Sequence, residues 1–177
     1  QHLSEALENL PYKSPRIILV RGEPGVGKTR LIQAFQENAR SSNTVFFYSA
    51  CRPYGEAMAL HPFVSMLRTY LGIDKSDDPP AARGKIKDHV SDPQFFQGLS
   101  LVLDRLAAIR SGSSDSDLET EGKKRALFQA IRDLVQDAAR RHSLAVVLDD
   151  AQWADASTRE CIRYVLESIS DTRLLIL

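Results

Sequence analysis

One stretch of the chain constrains its fold more than any other: Gly22-Glu23-Pro24-Gly25-Val26-Gly27-Lys28-Thr29. It matches the pattern G-x-x-x-x-G-K-[ST] in full, in which glycines let consecutive backbone N–H groups turn inward around phosphate oxygens at a helix N-terminus. An apolar segment, Arg16 to Val20, precedes it, and apolar residues at helical spacing follow from Leu31. This strand–loop–helix context argues against the alternative, a Gly/Pro turn with a surface lysine. The stretch therefore predicts a phosphate-binding P-loop (Walker A) and binding of a nucleoside triphosphate.

The P-loop pattern also assigns roles to its side chains. Lys28 is expected to reach the β- and γ-phosphates, and the Thr29 hydroxyl is expected to ligate Mg²⁺. We predict Lys28 to be a catalytic residue as well as a binding one. The residues predicted to bind the nucleotide are Gly22, Glu23, Pro24, Gly25, Val26, Gly27, Lys28, Thr29 and Arg30.

The composition is that of an ordinary soluble domain. The 177 residues suffice for one domain with a sizeable core, and a net charge of zero argues against a surface built to bind polyanions. No segment approaches the length of a membrane span, and the N-terminus lacks a signal sequence. Cys51 and Cys161 lack metal-ligand spacing and are typical of thiols in a reducing compartment. We therefore expect a cytoplasmic chain without a membrane partner.

Predicted strands and helices alternate along the chain. The strands are Arg16 to Val20, Thr44 to Tyr48, Leu144 to Leu148 and Arg173 to Leu177. The helices are the tail of one over His2 to Leu10, then Lys28 to Arg40, Leu60 to Leu71, Gln94 to Ile109, Gly122 to Arg141 and Ala156 to Ser168. A polar linker is predicted over Asp74 to Gly84 and a mobile loop over Ser111 to Glu121. The alternation predicts an α/β fold: a P-loop NTPase three-layer sandwich, with helices on both faces of a parallel sheet and a helical insertion between the second and third strands.

Two carboxylates, Asp149 and Asp150, follow the near-continuous apolar run Leu144 to Leu148. In such sheets the ligand lies at the carboxyl ends of the strands, where the P-loop already follows the first strand. We therefore predict a second nucleotide-binding element (Walker B), in which Asp149 holds Mg²⁺ through water and Asp150 polarises an attacking water. The alternatives are a solvated acidic strand end or a cap for the next helix.

The segment Leu148-Asp149-Asp150-Ala151-Gln152-Trp153-Ala154-Asp155 resembles the "LDDxQWAD" signature of the signal-transduction ATPases with numerous domains (STAND), an AAA+-related branch of P-loop ATPases. Within that branch the chain looks most like modules of LuxR-type transcriptional activators and modules attached to adenylate cyclases or protein kinases. Gly22 to Leu31 fits the P-loop of this family, and Leu60-His61-Pro62-Phe63 looks like its helical insert. The resemblance as a whole covers most of the chain, and these stretches are the parts that carry it most clearly.

The resemblance implies ATP or ADP with Mg²⁺ as ligands, Lys28 and Thr29 at the phosphates and the metal, Asp149 as the metal-linked acid and Asp150 as the water-activating acid. AAA+ machines with fast turnover commonly carry Glu at the second acidic position, so the shorter Asp150 predicts slow hydrolysis. A slow ATPase of this kind implies a nucleotide-dependent signalling switch in transcriptional regulation. Its expected partners are other domains of the same longer chain, with nucleotide-dependent self-association.

Further expectations concern the segment after the two acids. Trp153 is predicted to pack under the nucleotide site, with capping of the next helix as the alternative. Asp155 is predicted to be the N-cap of that helix, three residues ahead of Thr158. Three arginines are candidates for fingers across an oligomer interface, but we expect each of them to be a solvated surface residue: Arg52, Arg159 and Arg163.

The ends of the chain indicate a fragment of a longer polypeptide, since it begins at Gln1 without a methionine and stops in an apolar strand at Leu177. We expect the C-terminal lid and the γ-phosphate sensor of the family to lie beyond it.

Alternative functions remain open to different degrees. No Asn-Lys-x-Asp motif for guanine occurs, which favours ATP over GTP, and no acceptor pocket of a small-molecule kinase is recognisable. The absence of a basic stripe argues against a nucleic-acid-loading AAA+ ATPase and against direct nucleic-acid binding. A non-hydrolysing scaffold is disfavoured because Lys28, Thr29, Asp149 and Asp150 are all present.

Overall fold

The computed structural model describes residues 3, 5, 15–39, 44–52, 59–74, 76–89, 98–100 and 121–177. The strands are β1 (Arg16–Ile17), β2 (Thr44–Ala50), β3 (Ser143–Asp149) and β4 (Leu174–Ile176). The helices are α1 (Lys28–Ala39), α2 (His61–Tyr70), α3 (Pro79–His89), α4 (Glu121–Arg141) and α5 (Ala156–Ser168), with a short 3-10 helix at Ala151–Trp153. Within these ranges, no helix is both long enough and apolar enough to cross a membrane.

The described strands form one parallel sheet in the order β1-β4-β3-β2. β3 is central, pairing with β2 on one side and with β4 on the other, and β4 separates it from β1. Every residue of β3 between its ends is buried, as expected of a parallel strand covered on both faces. The predicted parallel α/β sheet is therefore confirmed.

Helices cover both faces of this sheet, because alternate strand residues point to opposite sides. On one face Ala145 of β3 and Leu175 of β4 pack against Phe35 and Ala39 of α1. The other face carries the larger core, which α2, α4 and α5 share with Leu144, Val146, Leu148, Leu174 and Ile176. These two cores give the predicted three layers.

The helical insertion predicted between the second and third strands is also confirmed, since α2, α3 and α4 lie between β2 and β3. The stripe that predicted α4 is buried throughout: Leu127, Ile131, Leu134, Val135 and Ala138. α2 begins after Leu60, which has a left-handed backbone (φ 67°), with Pro62 in its first turn.

The predicted linker at Asp74 to Gly84 is wrong in its second half, which belongs to α3. The Asp78 side chain accepts a hydrogen bond from the Ala81 N–H at 2.8 Å, as a helix cap does. Pro79 and Pro80 fall in the first turn, where a missing N–H costs no helical hydrogen bond. The two prolines therefore start a helix in this segment.

β1 is shorter than predicted, ending at Ile17 and not at Val20. The Ile18 N–H still donates to the Ile176 carbonyl at 2.8 Å, but the neighbouring strand β4 ends at Ile176. The rest of the predicted strand therefore leads into the P-loop without a strand partner on that side. The predictions for residues 2–10, 94–109 and 111–120 fall largely outside the described residues, and residues 3, 5 and 98–100 among them are helical.

Candidate nucleotide-binding site

The loop from Gly22 to Gly27 joins β1 to α1. Gly25 and Gly27 have φ angles of 81° and 98°, a backbone region that residues with a Cβ rarely adopt. A Cβ on Gly22 would lie 2.8 Å from Val26 Cγ1, so this position also favours glycine. The two fixed glycines of the pattern, Gly22 and Gly27, and the glycine at the variable position 25 thus each meet a local steric or conformational demand.

Lys28 is the first residue of α1, and its side chain folds back over the loop. Its Nζ donates hydrogen bonds to the carbonyl oxygens of Gly22 and Glu23, at 2.9 Å each. The ammonium group therefore lies inside the curve of the loop, where the backbone N–H groups at the start of α1 have no acceptor within the helix. Glu23, Val26, Thr29 and Arg30 are exposed.

The carboxylate of Asp149 accepts hydrogen bonds from three parts of the chain. The Thr29 hydroxyl on α1 donates to Oδ2 at 3.1 Å, and the Tyr48 hydroxyl on β2 donates to the same oxygen at 3.0 Å. The backbone N–H of Asp150 donates to Oδ1 at 3.0 Å. The structure thus brings the two predicted metal-linked residues, Thr29 and Asp149, into direct contact.

Tyr48 is a site residue that the sequence analysis missed. Burial raises the pKa of its hydroxyl above the ordinary 10.0, and the hydrogen bond to Asp149 and the charges of Asp149 and Asp150 raise it further. The hydroxyl therefore keeps its proton at neutral pH and acts as a donor. The only sequence signal was its place near the carboxyl end of a predicted strand.

Asp150 is held in an unusual conformation immediately after β3. Its backbone is left-handed (φ 55°, ψ 40°), which is uncommon for a residue other than glycine, although Asp tolerates it better than most. Its Oδ1 accepts a hydrogen bond from Gln152 Nε2 at 3.1 Å. Gln152 is thus a second contact that the sequence analysis missed, although it belongs to the tetrapeptide that carried the family resemblance.

Trp153 ends the short 3-10 helix and is 46% exposed, so its indole is not enclosed by the described residues. It does not cap α5, since that role belongs to Asp155. Asp155 Oδ1 accepts from the Thr158 N–H at 2.9 Å and Oδ2 accepts from the Thr158 hydroxyl, which confirms the predicted N-cap.

Asp155 also links the site to the helical insertion. Its Oδ2 accepts a hydrogen bond from the Leu60 N–H, just before α2, at 3.4 Å. Close by, the Cys51 N–H donates to the Asp149 carbonyl at 2.9 Å. The three arginines that are candidates for fingers are exposed in this single chain: Arg52, Arg159 and Arg163.

The amino-acid sequence was compared with those of known proteins and protein families. An uncharacterized protein of Rhizobium meliloti (strain 1021) is 23% identical over 150 residues, which cover 82% of this chain and 14% of that protein. The chain therefore spans about one seventh of the length of this curated relative. No solved structure matches the chain with statistical significance. The AAA ATPase domain family matches residues 1–177, and because the match extends over the whole chain, this protein belongs to the AAA ATPase domain family.

Proposed function

We propose that this chain is the ATP-binding core of a regulatory protein, which hydrolyses ATP slowly and acts as a nucleotide-dependent signalling switch in transcriptional regulation. The observation that carries the proposal is the hydrogen bond between Thr29 and Asp149, at 3.1 Å. It joins the end of the P-loop to the carboxyl end of the central strand, where a nucleotide and its metal bind in parallel sheets. Membership of the AAA ATPase domain family supports nucleotide binding and hydrolysis as its chemistry.

The residues around Asp149 fit Mg²⁺. Mg²⁺ prefers hard oxygen ligands and is commonly held by one or two carboxylates together with substrate phosphates. The Thr29 hydroxyl and the Asp149 carboxylate are two such oxygens in contact, and Lys28 lies close by in the loop as the positive charge for the phosphates. When bound, Mg²⁺ would neutralise phosphate charge, while Thr29 and Asp149 would hold it at the end of β3.

Asp150 is proposed as the acid that polarises the attacking water. Its carboxylate is exposed and oriented by Gln152, and it carries one methylene less than glutamate. The shorter side chain reaches less far toward a water near the γ-phosphate, which supports slow turnover. Slow hydrolysis suits a switch, because the protein then stays in its ATP-bound state long enough to pass on a signal.

A switch requires contacts that differ between the ATP and ADP states. The segment from Asp150 to Asp155 begins at the proposed catalytic acid. It ends at Asp155, whose carboxylate accepts a hydrogen bond from the Leu60 N–H immediately before α2. A displacement of Asp150 by the γ-phosphate would therefore act on the insertion through Asp155. We propose that this movement is passed to neighbouring domains of a larger protein or to a second copy of the chain.

The first experiment is calorimetric titration of the protein with ATP, ADP and GTP in the presence of Mg²⁺. We expect micromolar binding of the adenine nucleotides and weaker binding of GTP. Lys28→Ala should abolish binding of the triphosphate because it removes the charge inside the loop. The matched control is Lys87→Ala on α3, which should bind as the wild type does. Unchanged affinity in Lys28→Ala would refute the P-loop assignment.

Turnover separates the switch from a non-hydrolysing scaffold. Asp150→Asn keeps the size of the side chain and removes its charge, so ATP affinity should be unchanged while hydrolysis in the full-length protein slows. Equal turnover would remove Asp150 from the proposed role. Binding without any hydrolysis in the wild type would favour the scaffold, and ATPase stimulation by DNA would favour a nucleic-acid-loading ATPase.

A further inference from the structure

Two hydroxyl groups from different elements of the fold donate hydrogen bonds to the same oxygen of Asp149. Thr29 reaches Oδ2 from α1, and Tyr48 reaches it from β2 at 3.0 Å. In the parallel pairing of β2 with β3, Ala50 lies opposite Asp149 and Tyr48 lies opposite Val147. Tyr48 and Asp149 are therefore diagonal neighbours on adjacent strands, and the Tyr48 side chain is long enough to reach the carboxylate.

The alternation of side chains along each strand places Tyr48 and Asp149 on the face of the sheet that α1 covers. Phe46, two residues before Tyr48, packs against Phe35 of α1, with ring centroids 5.4 Å apart. Ala145, an even number of residues before Asp149, belongs to the core on that same face. The Tyr48 hydroxyl thus reaches the metal-linked carboxylate from the face on which Thr29 also lies.

The hydrogen bond from Tyr48 to Asp149 contributes little to the stability of the fold. Tyr48 is 41% exposed, and water can replace a hydrogen bond at such a surface at little cost. The carboxylate of an aspartate, by contrast, rotates within a broad torsional well when nothing holds it. A hydroxyl donor on Oδ2 together with the Asp150 N–H on Oδ1 restricts that rotation.

We propose that Tyr48 is a positioning residue of the Mg²⁺ site, whose hydroxyl holds the Asp149 carboxylate in the orientation that the metal requires. The inference rests on the proposed function of Thr29 and Asp149 in binding Mg²⁺ with nucleotide. Hydrogen-bond partners of metal-linked carboxylates orient them, and their loss typically weakens metal binding by about 10- to 100-fold. Orientation before binding also lowers the entropy that is lost when the metal arrives.

The test compares Tyr48→Phe with the wild type. The variant keeps the ring and removes only the hydroxyl. The matched control is Tyr164→Phe, which removes the hydroxyl of a partly buried tyrosine packed against Phe128. Binding of a non-hydrolysable ATP analogue is measured by calorimetry over a series of Mg²⁺ concentrations and again in EDTA, so that no turnover is needed.

We expect the gain in affinity that Mg²⁺ confers to fall roughly tenfold in Tyr48→Phe, with the affinity in EDTA unchanged, and no change of either kind in Tyr164→Phe. An unchanged Mg²⁺ dependence in Tyr48→Phe overturns the inference and leaves the proposed function intact. Equal weakening with Mg²⁺ and in EDTA also overturns it, since Tyr48 would then act on the loop or the fold. Absence of nucleotide binding by the wild type overturns the proposed function and the inference with it.

Discussion

The Thr29 hydroxyl donates a hydrogen bond to Asp149 Oδ2 across 120 residues of sequence. The contact passes over one strand of the sheet, because β4 lies between the strand that leads into the P-loop and the strand that ends at Asp149. α1 makes it possible by packing Phe35 and Ala39 over residues of both β3 and β4. Its first turn is thereby placed above the end of β3, so that the helix itself aligns the two predicted nucleotide-binding motifs.

This relationship predicts how Thr29 variants behave. Thr29→Val has nearly the same shape but lacks the hydroxyl, so the Mg²⁺-dependent part of ATP affinity should fall by at least about tenfold. Thr29→Ser keeps the hydroxyl and should retain Mg²⁺-dependent binding. The measurement is calorimetric titration with and without EDTA. Equal Mg²⁺ dependence in the valine and serine variants would contradict a metal-binding role for this residue.

A second prediction concerns the amide that holds Asp150. Gln152→Leu removes the donor to Asp150 Oδ1 and frees the carboxylate to rotate. Hydrolysis should slow roughly tenfold, equivalent to about 1.4 kcal/mol, because a hydrogen bond to a charged group is lost. ATP affinity should stay constant, because the hydrogen bond of the Gln152 side chain goes to Asp150 and not to the P-loop. Single-turnover assays measure the rate.

The control for Gln152 is Gln136→Leu on α4, where the amide oxygen accepts a hydrogen bond from Arg132. It should leave hydrolysis unchanged. If Gln152→Leu lowers ATP affinity as strongly as the rate, the residue supports the loop as a whole and does not orient Asp150.

The parts of the candidate site that could be predicted from the sequence are those whose structure depends on a local sequence pattern. The P-loop follows from glycines at fixed spacing, and α5 has the predicted bounds because Asp155 gives an unambiguous cap. Asp149 and Asp150 could be placed because a buried apolar strand ends immediately before them. Each of these features depends on residues within about ten positions of one another.

What the sequence could not predict depends on pairing between distant segments. The bond between Tyr48 and Asp149 joins residues 101 positions apart and requires the register of β2 against β3. The length of β1 likewise depends on where its neighbour β4 ends. α3 was missed for a different reason, since prolines that break a helix in its middle are favourable in its first turn.

We predict that the thiols of the two cysteines are unreactive in the folded protein. Neither forms a disulfide, and Cys51 and Cys161 are 4% and 0% exposed. Burial, with the charges of Asp155, Asp150 and Asp149, raises the pKa of Cys51 to about 11. Burial and the charge of Asp155 raise the pKa of Cys161 too. At pH 8 both are therefore neutral thiols, and the thiolate is the reactive form.

A chromogenic thiol reagent should accordingly modify neither cysteine of the native protein within minutes at pH 8. Both should react promptly in urea, where the chain is unfolded and the pKa values return to their ordinary range. Rapid labelling of one thiol in the native protein would show that its surroundings open readily, and mass spectrometry identifies which one.

The last prediction concerns the dual role of Asp155. Its carboxylate caps α5 through the Thr158 N–H and also accepts from the Leu60 N–H before α2. Asp155→Ala removes both bonds and leaves the buried Thr158 side chain without this acceptor, so the free energy of unfolding should fall by about 1–2 kcal/mol. Asp155→Asn retains a capping oxygen and should lose less. Urea denaturation measures the difference, with Glu37→Ala on the exposed face of α1 as a control that should stay within about 0.5 kcal/mol of the wild type. Equal stability of Asp155→Ala and the control would mean that solvent replaces the cap and that Asp155 does not hold α2 to the end of the sheet.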